Sequence, residues 1–438
     1  MNAITLSEKK QKEAIGLLSV GSFLESFDLF LYVHMAVLLN ELFFPTADPY
    51  TTALQQAFSF CATFALRPFG ALLFGYIGDK IGRKATIVIT TMMMAVACLV
   101  MAMLPTYAQI GITASWCVIV CRILQGLSAL GERVGAELYL TEITRPPLQY
   151  MVVGLIFCAI DIGGVSAIGI SALVTSHGFN WRFAFLVGAV VAMIGTSART
   201  KLKESPEFVD AQWKVKRDIK EGVKSQVELD HLSAHHGQVS KTTSLAYFLV
   251  HCGGPVGFYL IYIYCGNILK DTLGCTVHQV LSQNFFVGLV QSAGSVFLSF
   301  LSIRVYPLKI LKFMWVAFFL IGLMTPLLLN YIGTPQQLFF FQVVAVLFLP
   351  SGLPAGPIFY KHFPVFKRFT YASFLFAMSR AVMAIISSFG FVYLVKYFDY
   401  WGLLILIVPV VIGYGWSILY FEKLERAAGN YPIKASLC

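Results

Sequence analysis

The sequence predicts an all-α membrane protein, with twelve transmembrane helices in two six-helix bundles. Three observations lead there. Of 438 residues, 58% are hydrophobic and only 12% charged, whereas an average soluble domain carries about 25% charged residues. Mean hydropathy is +0.74, and apolar runs long enough to cross a ~30 Å hydrocarbon layer recur along the chain. The basic residues are also distributed one-sidedly among the connections. So few charges cannot cover a soluble surface. An outer-membrane barrel, with alternating strands, would give much weaker hydropathy, and the composition fits neither disorder nor a disulfide scaffold.

The apolar runs lie at 14–40, 51–76, 85–104, 111–140, 151–176, 181–199, 244–269, 279–303, 312–330, 336–360, 371–396 and 400–421. A polar stretch divides them into sixes. The expected plan is an N-terminal six-helix bundle over 1–199, a cytoplasmic linker over 200–243, a C-terminal bundle over 244–421 and a cytoplasmic tail over 422–438. With the N-terminus inside, only Arg182, Lys270 and Lys396 fall on outer connections, and Arg67, Arg122, Arg133 and Arg380 fall within spans. All other Lys and Arg residues lie on the tails and inner connections. This asymmetry places both termini in the cytoplasm. The net charge of +10 is then explained by topology, so no nucleic-acid partner is expected. Lys9, Lys10 and Lys12 run into a span longer than a signal-peptide core, with no A-x-A-like site at its end. The first span is therefore its own insertion signal. In the linker, Ser205 and Pro206 read as a helix start. Phe208, Ala211, Val215, Ile219, Val223 and Val227 follow near helical spacing. The result is an amphipathic helix that either lies on the inner leaflet or packs on the bundle.

Nine cysteines are scattered, without a metal-ligand set. Cys117 and Cys121 share a helix face, and Cys265 and Cys275 flank an outer loop as a disulfide or as two small buried thiols.

Ionisable groups in the hydrocarbon region are costly and mark a pathway. Glu25, Asp28 and Tyr32 lie at i, i+3, i+7 on the first span and share one face. Two carboxylates one turn apart resist joint ionisation, which suits a proton carrier; the other reading is a pair of static ion pairs with arginines on neighbouring helices. Arg122 and Gln125 lie in the middle of the fourth span, where Arg122 faces either an anionic ligand group or an internal carboxylate. Arg133 is eleven residues on, about 20° away on the wheel. With Glu132 and Glu137 it reads as a breakable lock near the cytoplasmic end. Asp161 adjoins Gly163 and Gly164 on the fifth span. His251, Pro255, Tyr259 and Tyr262 fall on one face of the seventh, where the tyrosines either bind a quaternary amine by cation–π attraction or simply pack. Asn284, Gln291 and Ser295 form a polar stripe on the eighth, and Arg380 is an isolated charge on the eleventh. His34 is either a proton shuttle or a packing residue. Between the second and third spans, Gly75, Gly78, Asp79, Gly82, Arg83 and Lys84 form a tight glycine turn whose charges can lock helix ends in one state.

That loop matches G-x-x-x-D-x-x-G-R-K, and the sequence here resembles the major facilitator superfamily, in its metabolite:proton symporter branch. That branch includes permeases for proline/betaine, 2-oxoglutarate, citrate and shikimate. Its marks are Gly21…Glu25-x-x-Asp28…Tyr32, Phe64…Arg67-Pro68-x-Gly70, Arg122-x-x-Gln125-Gly126…Gly131-Glu132…Gly135-Ala136…Glu142, Trp181-Arg182…Phe185 and Arg199…Glu204-Ser205-Pro206-Glu207-Phe208. In the second half the resemblance is fainter, best over Gly352…Pro357…Phe363-Pro364…Arg368. There are departures. Ser26 replaces an aromatic, Leu130 a glycine and Arg133 an aromatic. The loop Arg304–Lys309 lacks the Asp-Gly-Arg core, and Arg380 stands where an uncharged residue is usual.

The resemblance implies a pseudo-two-fold fold with inverted 3+3 repeats, a site near the midplane and rocker-switch alternating access. The expected activity is import of a small polar metabolite, carboxylate or amino-acid-like, by proton symport. A betaine-like osmolyte, an uncoupled facilitator or exchanger, and a transport-like sensor are the alternatives. No G-x-S-x-G, H-E-x-x-H or P-loop lysine motif occurs, so neither an enzyme nor a nucleotide-driven pump is expected. The expected partners are the substrate, protons and the lipid bilayer. The chain is expected to be monomeric, without cofactor or metal, in the plasma membrane, which in a bacterium is the inner membrane.

Overall fold

The computed structural model describes residues 8–44, 64, 66–177, 180–200, 204–220 and 239–432. Every regular element among them is helical. In chain order they are α1 (Glu8–Phe43), α2 (Arg67–Lys80), α3 (Arg83–Met103), α4 (Ile112–Ile143), α5 (Leu148–His177), α6 (Arg182–Arg199) and α7 (Pro206–Lys220). The second half adds α8 (from Lys241), α9 (Val277–Leu301), α10 (Pro307–Tyr331), α11 (Pro335–Leu347), α12 (Gly356–Lys361), α13 (Val365–Phe398) and α14 (Gly402–Ala427). Among the described residues, 8 helical stretches are long and apolar enough to cross a membrane, and Arg182–Ser197 and Pro335–Leu347 are shorter apolar helices. Large apolar side chains point outward, among them Phe69 at 66% exposure, Phe297 at 65% and Phe340 at 70%. That is the surface lipid requires, and a soluble monomer does not tolerate it. The expected start of the second span and the linker beyond Lys220, with Val223 and Val227, lie outside the described residues, as does the side chain of His34.

Two compact units form. The first comprises 1–145, 156–240 and 360–377; the second comprises 146–155, 241–359 and 378–438. Within the first, α3 lies against α4 and α6, α1 against the same two helices, and α2 against α4. Its core gathers Phe27, Leu31, Met35 and Phe43 of α1 with Met101, Val118 and Phe185. Trp181 meets Phe43 and Phe185 edge to face at 5.3 and 6.0 Å. Gly163 lets α5 touch α1, for a Cβ there would overlap the Phe23 carbonyl oxygen. In the second unit α14 packs on α8 and α10, and α9 on α11.

Two helices depart from the even spans expected. α8 runs through Phe258 as an α-helix and then takes π turns at Tyr259–Tyr264 and Ile268–Thr272. Pro255 lies just before, without an N–H to continue the ladder. A π turn leaves carbonyls off the i→i−4 register, and here amides reach them. Gln342 Nε2 donates to the Ile261 oxygen at 2.6 Å, and Asn284 Nδ2 to that of Tyr262 at 3.2 Å. The expected span 336–360 is broken, with α11 ending at Leu347 and α12 starting at Gly356. Pro350 and Pro354 prevent a continuous helix. The Tyr414 hydroxyl donates to the Ser351 carbonyl in the gap at 2.8 Å.

The Gly163 contact is testable. Gly163→Ala should lower thermal stability by about 1–3 kcal/mol, the usual cost of overpacking, read as a lowered unfolding midpoint in detergent. An unchanged midpoint would mean that α1 and α5 are not in backbone contact.

Candidate functional site

The face of α1 predicted from spacing is buried, with Glu25, Asp28 and Tyr32 at 3%, 4% and 3% exposure. Its carboxylates do not share a site. Glu25 Oε1 pairs with Arg67 Nη2 at 3.2 Å, and Arg67 lies 5.0 Å from the Phe64 ring. Asp28 Oδ2 takes Arg122 Nη1 at 3.2 Å. The same Arg122 nitrogen donates to Gln125 Oε1 at 2.8 Å, and Gln125 Nε2 donates to Asp28 Oδ1 at 2.7 Å. Arg122 is thus held in a closed ring of three side chains, with its guanidinium 3.9 Å over the Tyr32 ring. Of the two readings left open for Arg122, the structure brings it to an internal carboxylate. Each carboxylate has its own arginine on a neighbouring helix, the second of the two arrangements left open for Glu25 and Asp28.

Further along α4, Arg133 Nε lies 3.4 Å from Glu137 Oε1 and between the rings of Phe157 and Phe376, at 5.2 and 4.8 Å. The Tyr360 hydroxyl donates to Glu137 Oε2 at 2.6 Å. The side chain of Glu132 is outside the described residues.

The loop after α2 forms a lock with segment 360–377, which belongs to the same compact unit. Arg83 is fully buried. Its Nη1 donates to the Gly78 carbonyl and to Asp79 Oδ1, at 2.5 and 2.8 Å, and its Nη2 to the Val365 carbonyl and Glu142 Oε1, at 2.8 and 3.3 Å. Asp79 accepts from the Phe369 and Thr370 backbone N–H groups and from the Thr370 hydroxyl, at 3.1, 2.8 and 2.7 Å. The turn glycines make this approach possible. A Cβ at Gly75 would lie 2.7 Å from Thr370 Cα, and one at Gly78 would lie 2.7 Å from the Phe369 ring. Gly82, at φ +141°, starts α3. There the Glu204 carboxylate accepts from the backbone N–H groups of Arg83 and Lys84, at 2.9 and 3.2 Å, an anion on the positive end of a helix. Arg368 bridges Glu142 and Glu207, at 3.3 and 2.8 Å. The Ser205 hydroxyl, just before α7, donates to Glu142 Oε2 at 2.5 Å.

Spacing singles out Asp79 and Arg83 but not the partners that complete the lock, Glu142, Glu204, Glu207 and Arg368, nor Tyr360, which holds Glu137. A charge near a helix end reads as solvated until another segment covers it. Cys98 was also missed: its Sγ lies 3.5 Å from Asp28 Oδ1, and nothing in its sequence surroundings distinguishes it.

Other expected residues lie apart. Asp161 is half-buried on α5. Arg380 belongs to the second unit, its guanidinium 3.9 Å from where Gly254 would carry a Cβ. Tyr259 and Tyr262 turn to different helices. The first donates to the Ser388 carbonyl at 3.5 Å and lies 5.1 Å from Phe391, and the second donates to Gln291 Oε1 at 2.7 Å. Cys265 and Cys275 are free thiols. Where the loop Arg304–Lys309 lacks charged motif residues, the Tyr306 hydroxyl instead donates to Glu425 Oε2 at 2.8 Å.

The model of the family described as sugar (and other) transporter matches residues 15–304. The chain belongs to this family, within the major facilitator superfamily. It is 31% identical over 394 residues to a putative metabolite transport protein of Haemophilus influenzae, covering 84% of this chain and 86% of that protein. It is 30% identical over 286 residues to the proline/betaine transporter of Salmonella typhimurium, covering 61% of this chain. It is 36% identical over 209 residues to the inner membrane metabolite transport protein YhjE of Escherichia coli, covering 46% of this chain. The chain spans about half the length of these last two, 55% and 47%. The structure of the proton:xylose symporter XylE bound to 6-bromo-6-deoxy-D-glucose superimposes with a TM-score of 0.74 at 16% identity, over 95% of this chain and 96% of that one. This similarity is one of fold. These relatives carry transporter names, one of them that of an inner membrane protein, and 8 of the described helical stretches are long and apolar enough to cross a membrane.

Removing the central cation tests the lock. Arg83→Ala leaves Asp79 and Glu142 buried without it and should cost about 3–5 kcal/mol, measured as a large fall in the unfolding midpoint. A fall of less than a degree would show that the cluster is not a desolvated network.

Proposed function

We propose that this transporter imports a small polar metabolite bearing a carboxylate, an organic acid or amino acid, by proton symport with alternating access. The observation that carries the reading is the Asp28–Arg122–Gln125 ring under Tyr32. A guanidinium in a low-dielectric helix interior needs an anion, and a buried pair that loses one member is penalised by several kcal/mol. Protonating Asp28 releases Arg122, which a substrate carboxylate can then take by a bidentate match. Proton and substrate therefore assist each other's binding, because each removes an unpaired charge left by the other. In the same reading the chain has twelve spans in two sixes, with both termini and the 79–84 loop in the cytoplasm, as the distribution of Lys and Arg supports. The closed Asp79–Arg83–Glu142–Arg368 network is then the cytoplasmic gate, and the Arg133–Glu137–Tyr360 cluster an inner continuation of it. A zwitterionic osmolyte is the second reading, supported by relatives that carry the name proline/betaine transporter.

Two experiments test this. In proteoliposomes, Asp28→Asn should abolish accumulation driven by an inward proton gradient while leaving exchange of labelled substrate intact; gradient-driven accumulation that survives would reassign the carrier, with Asp161 next. In a thermal-shift screen of organic acids, amino acids and betaines, a ligand at 100 times its Kd stabilises by about 2.7 kcal/mol. Arg122→Ala should erase that shift, and a retained shift would remove Arg122 from the site.

A further inference from the structure

Three side chains reach Asp28, and they differ in what they can do once it takes a proton. Arg122 can only donate. Gln125 has both functions, but its orientation is forced. Its oxygen must face Arg122, 2.8 Å away, so its NH₂ group must face Asp28 Oδ1, at 2.7 Å. Cys98 on α3 is the third. Its Sγ lies 3.5 Å from Asp28 Oδ1 and 3.7 Å from Gln125 Nε2, and a thiol both donates and accepts. A protonated carboxyl needs an acceptor for its new O–H, and a buried O–H without one is penalised.

We propose that Cys98 is the positioning residue for this step, its thiol donating to the Asp28 carboxylate and turning to accept the O–H of the Asp28 carboxylic acid. This rests on the reading that Asp28 carries the proton. One proton, from solvent, binds Oδ1, and the thiol keeps its own and rotates. Oδ1 retains a lone pair for Gln125, and the neutral carboxyl loosens its hold on Arg122. Among the described residues, no other ionisable group near Asp28 takes the place of the thiol. On α1, Glu25 is engaged by Arg67 of α2, and Tyr32 lies under Arg122. On α4, Cys121 lies near enough to interact electrostatically with Asp28, but it is not among the groups that hydrogen-bond it. Asp161 is half-buried on α5, the helix that meets α1 at Phe23 and Phe30. α6 has no ionisable side chain between residues 183 and 198.

The test needs no substrate. Infrared difference spectra of the protein in liposomes, taken across pH, show a carboxylic acid C=O band that grows on acidification, and the part lost in Asp28→Asn gives the Asp28 titration midpoint. Removing the thiol takes a donor from the charged carboxylate and an acceptor from the acid, and the charge-assisted bond is the stronger of the two. Cys98→Ala and Cys98→Val should therefore move the midpoint to higher pH by about 0.5–1 unit, a ~3–10-fold gain of proton affinity. Cys98→Ser, which keeps both functions, should stay within about 0.3 unit. The S–H stretch assigned by Cys98→Ala should shift to higher frequency over the same pH range as the thiol ceases to donate. A midpoint unchanged or lowered in both Ala and Val variants, or an S–H band that ignores the titration, overturns the role of Cys98. If the Asp28→Asn spectrum matches wild type, the reading of Asp28 as carrier fails instead.

Discussion

The constraint on which the first unit depends is that a charge removed from water must be matched by another charge at hydrogen-bond distance. Leaving an ion buried without its partner is penalised by several kcal/mol. Arg83 shows how far this reaches. It is fully buried, and its two terminal nitrogens tie the end of α2, the start of α13 and Glu142 of α4 to one point. Helices that would otherwise slide on one another, lipid being as apolar as their own side chains, are registered by these contacts. Glycine is needed wherever the registered backbones come too close for a Cβ, as at Gly75 against Thr370.

The same constraint makes a pair useful as a switch. An ion pair that is stable only while both members are charged responds to a proton on one member or to a competing ion on the other. Asp28 and Arg122 meet this condition, and the proposed coupling follows from it without any long-range signal. Arg122, Arg133, Glu137 and Glu142 all stand on α4, and from Arg122 to Glu142 is about 30 Å along a helix rising 1.5 Å per residue. A stiff rod therefore carries the central pair at one level, the aromatic-walled Arg133–Glu137 pair at the next and the lock at its end.

In the second unit the polar groups are spent differently. Amides of Gln342 and Asn284 hold carbonyls of the π turns in α8, and Tyr414 serves the break between α11 and α12. Both irregularities follow prolines. They place non-helical backbone inside protein, where partners exist, as a membrane interior demands.

Much of this was legible in the residues. Hydropathy fixed the class, because a span must be apolar for about 20 residues whatever it packs against. Spacing along α1 put Glu25, Asp28 and Tyr32 on one buried face, and the glycine loop announced Asp79 and Arg83. Helical periodicity is local, so it carries through. What periodicity could not supply was partners. Whether Glu25 and Asp28 face each other or two different arginines, whether Glu142 is solvated or covered by Arg368, and whether Cys98 is filler or a neighbour of Asp28 are matters of contact between segments 42 to 226 residues apart. The expected face holding both Tyr259 and Tyr262 shows the same limit from the other side, for a π turn changes the phase that the spacing argument assumes. The sequence by itself determined a bundle of apolar helices with a few charges inside. Only tertiary packing decided which charges meet, because a buried ion's partner is set by distance in space and not by position along the chain.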